Sequence, residues 1–373
     1  LGQLYNSIGS KSSDVHDAAY LKKSFNAVQE LIHNEKILAG HDISAGGLIT
    51  TLLEMCFPSP GVGLSIDTSG ISDHDLYRTV FSEQPGLVLQ VDSADEVLAH
   101  FREFEIEAYK IGSVTTERSL IIKHHGIRES LMVDDLRDFW MNPSYLLDRN
   151  QTTPKLAEAR FTNYKLQPLD FSFPRQFSGK FTDINVDPDR RTASGVKAAI
   201  IREKGVNGDR EMAWSMYLAG FDVKDIHMTD LISGKEDLSD VNFIVFVGGF
   251  SNSDVLGSAK GWAGAFLYNP KAKQALDNFY ARKDTLSLGV CNGCQLMMEL
   301  ELLYPGQNEH PKMLHNESGK FESSFLTVDV LENNAVMMKS LAGSKLGIWV
   351  AHGEGKFKLP GTEDQYTICG RYT

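Results

Sequence analysis

The stretch "LSLGVCNGCQLMMEL", residues 286–300, decides the fold of the second half of this chain. It begins with a short apolar run typical of a buried parallel strand and continues into residues that favour a helix. Glycines lie two residues before and two residues after Cys291, which is the spacing of the strand–turn–helix elbow that exposes a nucleophile. Open α/β sheets place their sites at the carboxyl ends of strands, so we predict such a sheet with Cys291 at its functional edge.

The residues upstream of this stretch alternate between strand and helix patterns. The strands are predicted at "VKAAIIRE" (196–203), "FDVKDIHM" (221–228) and "VNFIVFVGG" (241–249). The helices are predicted within "GVNGDREMAWSMYLAG" (205–220) and "PKAKQALDNFYARK" (270–283). Such alternation implies crossover helices between parallel strands, so we predict a doubly wound, mostly parallel α/β sheet.

The chain divides into three predicted segments. Residues 1–133 have the pattern of a mixed α+β domain, and they include an amphipathic helix over residues 14–33 with Asp14 near its start. Residues 134–194 are punctuated by prolines and lack sustained periodicity after an initial helical stretch, so we predict a linker that lies against its neighbours. Residues 195–373 form the doubly wound domain.

Length, charge and cysteine content limit the classes of function. The 373 residues suffice for two or more domains, and the net charge of −12 without a basic block argues against nucleic acid or an anionic membrane as the main partner. The sequence has no apolar run of the ~18 residues that a membrane span needs. Four scattered cysteines suggest the reducing cytoplasm rather than a disulfide framework. Because the chain begins without methionine, we expect a piece of a longer protein.

Cys291 and Cys294 form a C-x-x-C pair, which can hold zinc, cycle as a disulfide, pack in the core or contain one nucleophile. His310 and His315 complete a loose zinc-finger spacing, but Pro311 resists the helix that finger histidines share. A redox pair fits the helix start, yet the thioredoxin-like context is absent from the sequence. The nucleophile interpretation also accounts for the flanking glycines, and we prefer it.

Cys291 as a nucleophile needs activation and an oxyanion hole. The N-terminal amides of the following helix favour the thiolate, while Cys294 falls one turn into that helix and packs. A second strand end carries Gly248-Gly249-Phe250, whose backbone N–H groups can approach a developing oxyanion closely. The alternative is that the paired glycines only make a tight strand exit.

Several motifs together resemble a known family. "GVCNGCQL" (289–296) matches the G-x-C-x-G-x-Q nucleophile motif of class I glutamine amidotransferases. "VGGFSNSDVLGSAKGWA" (247–263), "HNESGKFESSF" (315–325) and "WVAHGEGKF" (349–357) resemble one branch, the amidotransferase domain of the large phosphoribosylformylglycinamidine synthases. "HDISAGGL" (41–48) resembles the C-terminal half of the second synthetase-like module in that family. The resemblance runs along nearly the whole chain.

The resemblance implies an activity and its residues. The family makes formylglycinamidine ribonucleotide from formylglycinamide ribonucleotide, glutamine and ATP in purine biosynthesis. Cys291 would attack the glutamine amide to form a glutamyl thioester, and the released ammonia would travel to a synthetase site. Amides near Gly249 and Phe250 would line the oxyanion hole. Gln295, with parts of "HNESGKFE" and "HGEGKF", would line the glutamine pocket.

The resemblance also implies a nucleotide site in the first domain. Asp42 corresponds to a Mg²⁺ ligand and Ser44 to a contact of a structural ATP or ADP, in a site completed by N-terminal modules outside this sequence. The residues are compatible, since a strand-end carboxylate suits Mg²⁺ and Gly46-Gly47 before a helix suits phosphate. A helix cap and a tight turn are the alternative.

The sequence departs from the family pattern in two places. Residues 248–254 read Gly-Gly-Phe-Ser-Asn-Ser-Asp where the family usually has "GGFSYGD", a change we expect the turn to absorb. The "P-H-P-E" motif that carries the family's triad histidine and glutamate does not occur, so we expect impaired glutaminase activity. His352 is an alternative base, although the resemblance places it in a different strand. A non-catalytic nucleotide-binding scaffold and a cysteine hydrolase of the same fold are the rival functions.

Overall fold

The computed structural model describes residues 2–7, 9, 13–71, 75–163, 166 and 169–373. The chain forms two compact units, Leu1–Pro168 and Leu169–Thr373. Among the described residues, no helix has both the length and the apolar character that crossing a membrane requires.

The first unit combines helices with two sheets. Its helices are α1 (Ala18–His33), α2 (Gly47–Cys56), α3 (Leu76–Val80), α4 (Ala94–Glu103), α5 (Val133–Gln151) and α6 (Pro154–Asn163). Its strands are β1 (Ala39–Ile43), β2 (Gly63–Asp67), β3 (Gly86–Gln90), β4 (Gly112–Thr115), β5 (Ser119–His124) and β6 (Ile127–Met132). β1 pairs with β3 antiparallel, while the order β4-β2-β5-β6 contains one parallel pair, β2 with β5. The predicted mixed α+β class is confirmed.

The amphipathic helix α1 begins later than the sequence pattern suggested. Its N-cap is Asp17, whose carboxylate accepts hydrogen bonds from the N–H groups of Ala19 and Tyr20, both at 2.9 Å. Asp14 lies outside the helix, because Asp17 is the carboxylate placed to satisfy the first free amides. Leu31 on the inner face of α1 packs against Phe101 of α4.

The segment predicted as a linker is partly helical. α5 and α6 occupy its first part, and α5 contains Pro143 within its span. The rest of the predicted linker that the structure describes, residues 169–194, belongs to the second unit and is mostly irregular, with a short 3-10 helix at Phe181–Ile184. The domain boundaries at residues 133 and 194 stay predictions.

The second unit is built on a parallel sheet. Its helices are α7 (Asp209–Leu218), α8 (Met228–Ser233), α9 (Lys260–Leu267), α10 (Pro270–Ala281) and α11 (Asn292–Glu299), with short 3-10 helices at Ser251–Asp254, Lys339–Leu341 and Glu363–Gln365. Its first strands are β7 (Lys197–Arg202), β8 (Asp222–His227), β9 (Phe243–Phe246) and β10 (Leu286–Gly289). They pair in the order β10-β9-β7-β8, and every pair is parallel. The predicted doubly wound sheet is confirmed.

Helices cover both faces of this parallel sheet. Successive strand residues point to opposite faces, so Ala198 and Ile200 of β7 pack with Met216 of α7. Ile201 of the same strand packs in the opposite layer with Trp262 of α9. Burial on both faces explains why the central strands β7 and β9 have apolar interiors, whereas the edge strand β8 contains charged residues.

Antiparallel strands follow the parallel sheet. They are β11 (Lys312–His315), β12 (Glu322–Val330), β13 (Lys345–His352), β14 (Glu354–Lys358) and β15 (Gly370–Tyr372). β12 lies between β13 and β15, and β11 pairs with β14. These strands carry the "HNESGKFE" and "HGEGKF" stretches to the nucleophile.

Candidate active site around Cys291

The elbow, residues 289–295, follows the prediction from its glycine spacing. β10 ends at Gly289, and Cys291 is the N-cap of α11 with φ 51° and ψ −110°. A non-glycine residue with positive φ carries a strain of about 1–2 kcal/mol. Such strain persists only where the surroundings fix the backbone, and it is typical of functional sites. The exposed thiol therefore lies at the carboxyl end of the sheet, on a helix start.

Close backbone approach explains two glycines around the elbow. A Cβ atom at Gly293 would lie 1.9 Å from the carbonyl oxygen of Phe246 in the neighbouring strand. A Cβ atom at Gly248 would lie 3.2 Å from the Cβ of Cys291. Side chains at these two positions would push the elbow away from the end of β9.

The two cysteines of the elbow have different environments. Burial, and then the nearby charge of Cys291, raises the pKa of the Cys294 thiol to about 11. Cys294 is therefore a neutral thiol at pH 7 and packs at the start of α11, as predicted from the sequence. The Cys291 thiol donates to the carbonyl oxygen of Ala351 in β13, with an S···O distance of 3.4 Å.

The glycine turn, residues 248–254, contains the two predicted oxyanion donors, the N–H groups of Gly249 and Phe250, and of the two only the N–H of Gly249 lacks a described acceptor and is free to bind an oxyanion. The N–H of Phe250 already donates to the carbonyl oxygen of Gly205 at 3.0 Å. Within the described part of the chain, the N–H groups of Gly249 and Asn292 have no acceptor. Sequence reasoning missed Asn292, although the residue after an elbow nucleophile is a common oxyanion donor. A role of Phe250 in the oxyanion hole stays a prediction.

Cys291 opens into a cavity of about 160 Å³. Its polar lining includes Cys291, Gln295, His315, His352 and Glu354. The rings of Phe250 and Phe321 lie at its edge, half-exposed, with their centroids 6.2 Å apart. The cavity therefore combines an apolar rim with convergent polar groups, which is typical of a small-molecule site.

Asn316 orients the ring of His352 in this cavity. The amide nitrogen of Asn316 donates to the carbonyl oxygens of Lys320 and His352, and its oxygen accepts from the N–H of Gly355. The same oxygen lies 2.9 Å from Nδ1 of His352 and accepts a hydrogen bond from it, which leaves Nε2 as the other ring nitrogen in the cavity. The second imidazole, that of His315, is paired with Glu354 at 3.6 Å.

Gln295 lines the cavity but uses its own amide inside the protein. Its Nε2 donates to the carbonyl oxygen of Glu354 at 2.8 Å, and its Oε1 accepts from Asn292 at 2.9 Å. The side chain is only 7% exposed. Gln295 therefore ties the elbow helix to the cavity wall, while direct contact of Gln295 with glutamine stays a prediction.

The zinc interpretation of the cysteine pair gains no geometric support. His310 Nε2 lies 3.3 Å from a carboxylate oxygen of Glu301. Among the residues that the structure describes, no group of three or more histidine, cysteine, aspartate and glutamate side chains gathers as metal ligands would.

The predicted nucleotide and Mg²⁺ residues lie in the first unit. Asp42 is in β1 with its side chain 67% exposed, and Ser44 follows, also exposed, before α2. Asp42 can supply one oxygen ligand, which fits part of a Mg²⁺ site because Mg²⁺ usually keeps several waters. The N–H of Gly46 donates to the Glu83 carboxylate at 2.8 Å, so phosphate at this amide would have to displace Glu83.

A larger open cleft, of about 670 Å³, lies between Glu332, Glu363, Asp364 and Arg371. Arg371 is paired with Glu363 across it. The described lining residues of the cleft include neither a cysteine nor an imidazole, so the smaller cavity at Cys291 is the better candidate for a catalytic site.

Two protein families match different parts of the chain. Residues 3–125 match the family "AIR synthase related protein, C-terminal domain", and residues 195–371 match "CobB/CobQ-like glutamine amidotransferase domain". The chain is 40% identical over 376 residues to the probable phosphoribosylformylglycinamidine synthase, chloroplastic/mitochondrial, of Arabidopsis thaliana. It is 35% identical over 394 residues to the phosphoribosylformylglycinamidine synthase of Dictyostelium discoideum.

The matches cover nearly all of this chain but only part of each relative. They cover 96% and 99% of this chain, but 26% of the Arabidopsis protein and 29% of the Dictyostelium protein. The solved structure of PurLQS from Thermotoga maritima is 26% identical with a TM-score of 0.39, and the match covers 48% of this chain and 74% of that one.

Proposed function

The chain belongs to the phosphoribosylformylglycinamidine synthase family, and on that premise we propose that its second unit hydrolyses glutamine through Cys291 to supply ammonia. The observation that carries the proposal is Cys291 on a strained elbow beside the glycine turn, at the mouth of a polar cavity. The ammonia would serve the ATP-dependent conversion of formylglycinamide ribonucleotide to formylglycinamidine ribonucleotide in the whole protein. Most of that protein's synthetase machinery would lie in modules outside this sequence.

The first step is attack of the Cys291 sulfur on the side-chain carbonyl carbon of glutamine. The C–S bond forms, the carbonyl π electrons move to oxygen, and collapse of the tetrahedral adduct expels ammonia once its nitrogen is protonated. Water then cleaves the glutamyl thioester to release glutamate and the thiol. Cys294, kept neutral by burial, takes no part in this exchange.

The developing oxyanion lies closest to two free amides in this proposal, those of Gly249 and Asn292. Preorganised N–H groups stabilise such charge without reorganisation, and removing one donor typically costs about 10²–10³ in rate. Because Asn292 is the first residue of α11, its amide also carries the positive end of the helix dipole. The two half-exposed rings, Phe250 and Phe321, would flank the aliphatic part of the glutamine side chain.

Two groups are candidates for the proton acceptor of Cys291. His352 lines the cavity, and its Nδ1 is bound to Asn316, so Nε2 is the ring nitrogen that would accept the proton. The resemblance instead implies a histidine and glutamate of a "P-H-P-E" motif, which the 373 residues do not contain. A loss of Cys291 labelling in a His352→Asn variant would assign the role to His352.

The first unit would bind ATP or ADP through Ser44, with Mg²⁺ held in part by Asp42. Both side chains are exposed beside the start of α2, which supports this assignment. A bound Mg²⁺ would neutralise phosphate charge there. Nucleotide affinity measured by calorimetry on the full-length natural protein should fall for Asp42→Asn. It should stay unchanged for Asp14→Asn, which lies outside α1.

We also propose the cytoplasm as the cellular location and small molecules as the binding partners. The cysteines are free thiols, which supports a reducing compartment such as the cytoplasm. The net charge of −12 supports small-molecule partners over nucleic acid or membrane.

Intact-mass labelling with a glutamine-mimicking diazoketone tests the central proposal. The label should map to Cys291 in the full-length natural protein and disappear in Cys291→Ser, while Cys294→Ser should still be labelled. The 373-residue chain measured beside it shows how much activation these residues provide alone. A full-length protein that binds nucleotide but never labels at Cys291 would favour the non-catalytic scaffold.

A further inference from the structure

The side chain of Asn292 connects three parts of the site. Its Oδ1 accepts from the N–H of Ser251 at 3.1 Å, in the glycine turn. Its Nδ2 donates to Asp254 Oδ1 at 3.3 Å, at the end of the same turn, and to Gln295 Oε1 at 2.9 Å. Gln295 in turn donates to the carbonyl oxygen of Glu354 in the cavity wall. One amide thus joins the nucleophile elbow to the turn and to the wall.

The environment of this amide makes its hydrogen bonds specific. Asn292 is fully buried, so water cannot replace a lost partner. Its oxygen faces an N–H donor, and its nitrogen faces two oxygen acceptors. Buried polar groups cost about 1–3 kcal/mol when they lose a partner, so this orientation of the amide is strongly preferred.

The turn held by Asn292 is one that would not keep its shape unaided. Asn252, Ser253 and Asp254 have φ values of 51°, 56° and 48°, which places three consecutive non-glycine residues in the left-handed region. Each such residue costs about 1–2 kcal/mol. The bonds from Asn292 hold residues 251–254 of the glycine turn at both ends, at the Ser251 amide and at the Asp254 carboxylate. The proposed oxyanion donor Gly249 lies two residues before Ser251 in the same turn.

We propose that Asn292 is a positioning residue, whose side chain holds the glycine turn and the Gln295–Glu354 wall in register with Cys291. The inference rests on the proposed function, because the geometry that it holds is that of the oxyanion donors and the glutamine cavity. A misplacement of about 1 Å at such a site can cost about 10²-fold in rate. The side chain of Asn292 acts through the turn and the wall, whereas its backbone N–H is one of the two proposed oxyanion donors.

The test uses an isosteric substitution. Asn292→Asp keeps the side-chain volume and the acceptor for Ser251, but it turns a carboxylate oxygen toward the oxygens of Asp254 and Gln295. Asn242→Asp is the matched control, because Asn242 donates to the Asp284 carboxylate at 3.1 Å before β9, at the opposite end of the same sheet. Both variants are made in the full-length natural protein.

Two thiol probes separate positioning from reactivity. The diazoketone needs its carbonyl oxygen stabilised, whereas iodoacetamide alkylates an exposed thiolate without an oxyanion hole. For Asn292→Asp we expect Cys291 labelling by the diazoketone to fall tenfold or more, with iodoacetamide alkylation within about twofold of wild type. Hydrogen exchange of residues 248–254 should increase. The deficit should shrink as pH falls, because the carboxyl group introduced by Asn292→Asp can again donate one hydrogen bond once it is protonated.

Three results would overturn the proposal. Diazoketone labelling of a folded Asn292→Asp protein within twofold of wild type is the first, and an equal loss with both probes is the second. The third is unchanged exchange in the glycine turn. If Asn292→Asp does not fold, Asn292→Ala is judged by the same three criteria. If wild-type protein never labels at Cys291, the proposed glutaminase function fails, and the exchange of the turn, compared with Asn242→Asp, still decides the positioning role.

Discussion

Replacing Gly293 by alanine should displace the nucleophile. The added Cβ would lie 1.9 Å from the carbonyl oxygen of Phe246, whereas real Cβ atoms essentially never come within 3.0 Å of another heavy atom. The elbow must therefore move by at least about 1.1 Å relative to β9, the difference between 3.0 and 1.9 Å. Overpacking of this kind costs about 1–3 kcal/mol of stability. A shift of that size should also slow Cys291 labelling by about 10²-fold.

The assay compares denaturant unfolding and diazoketone labelling of Gly293→Ala with those of Gly306→Ala. Gly306 lies in the same unit, has no positive φ, and a Cβ there meets nothing within 4 Å. The control should therefore match wild type in both measurements. Wild-type stability and labelling in Gly293→Ala would refute the argument that backbone contact between the elbow and β9 positions Cys291.

Three further changes have expected outcomes. Ser253→Gly should raise the free energy of unfolding by about 1 kcal/mol, because glycine adopts the left-handed conformation of this residue (φ 56°) without strain. The denaturant midpoint should rise accordingly, and a lower midpoint would contradict the argument. Iodoacetamide mapping at about pH 8 should modify Cys291 and spare Cys294, whose pKa is about 11, and Cys294 alkylation should rise about tenfold per pH unit up to that value. The pKa of Asp222 is lowered by hydrogen bonds from the backbone amides of Ser194 and Gly195 and from Arg190. The carboxylate of Asp222 therefore stabilises the fold fully above its unfolded pKa of about 3.9, and this stabilisation is lost as the pH falls through the folded pKa. Asp222→Asn should therefore be less stable than wild type at about pH 7, and the deficit should shrink as the pH falls through the lowered folded pKa of Asp222; a deficit that does not change with pH would count against the argument.

The parallel sheet and the elbow were predictable because local rules and global structure agree there. β7 and β9 are apolar runs between turn residues, and burial on both faces requires that composition. The glycines around Cys291 predicted a tight turn, and the close approach of the Phe246 carbonyl oxygen explains why residue 293 is a glycine. In each case a few adjacent residues contain the whole signal.

The antiparallel strands were not predictable in the same way. β12 is nine residues long, yet of these only Thr327 and Val330 are buried, so it shows no clean alternation. Its pairing with β13 depends on residues that are distant in sequence, which periodicity does not reveal. The contacts of Asn292 with Ser251 and Asp254 also span about forty residues of sequence. Hydrogen-bonded networks of that kind appear only once the fold brings their members together.

Four non-glycine residues with positive φ, Asn252, Ser253, Asp254 and Cys291, lie in the glycine turn and the elbow of the second unit. Cys291 and Ser253 both adopt positive φ, although neither residue type favours it, and the glycine turn and the elbow that contain them meet at Asn292. Strain is retained where a competing interaction outweighs it, and here that interaction is a buried, fully paired amide. The backbone geometry of the nucleophile and that of the glycine turn are thus one coupled property, so a substitution that relaxes either should be felt in the other.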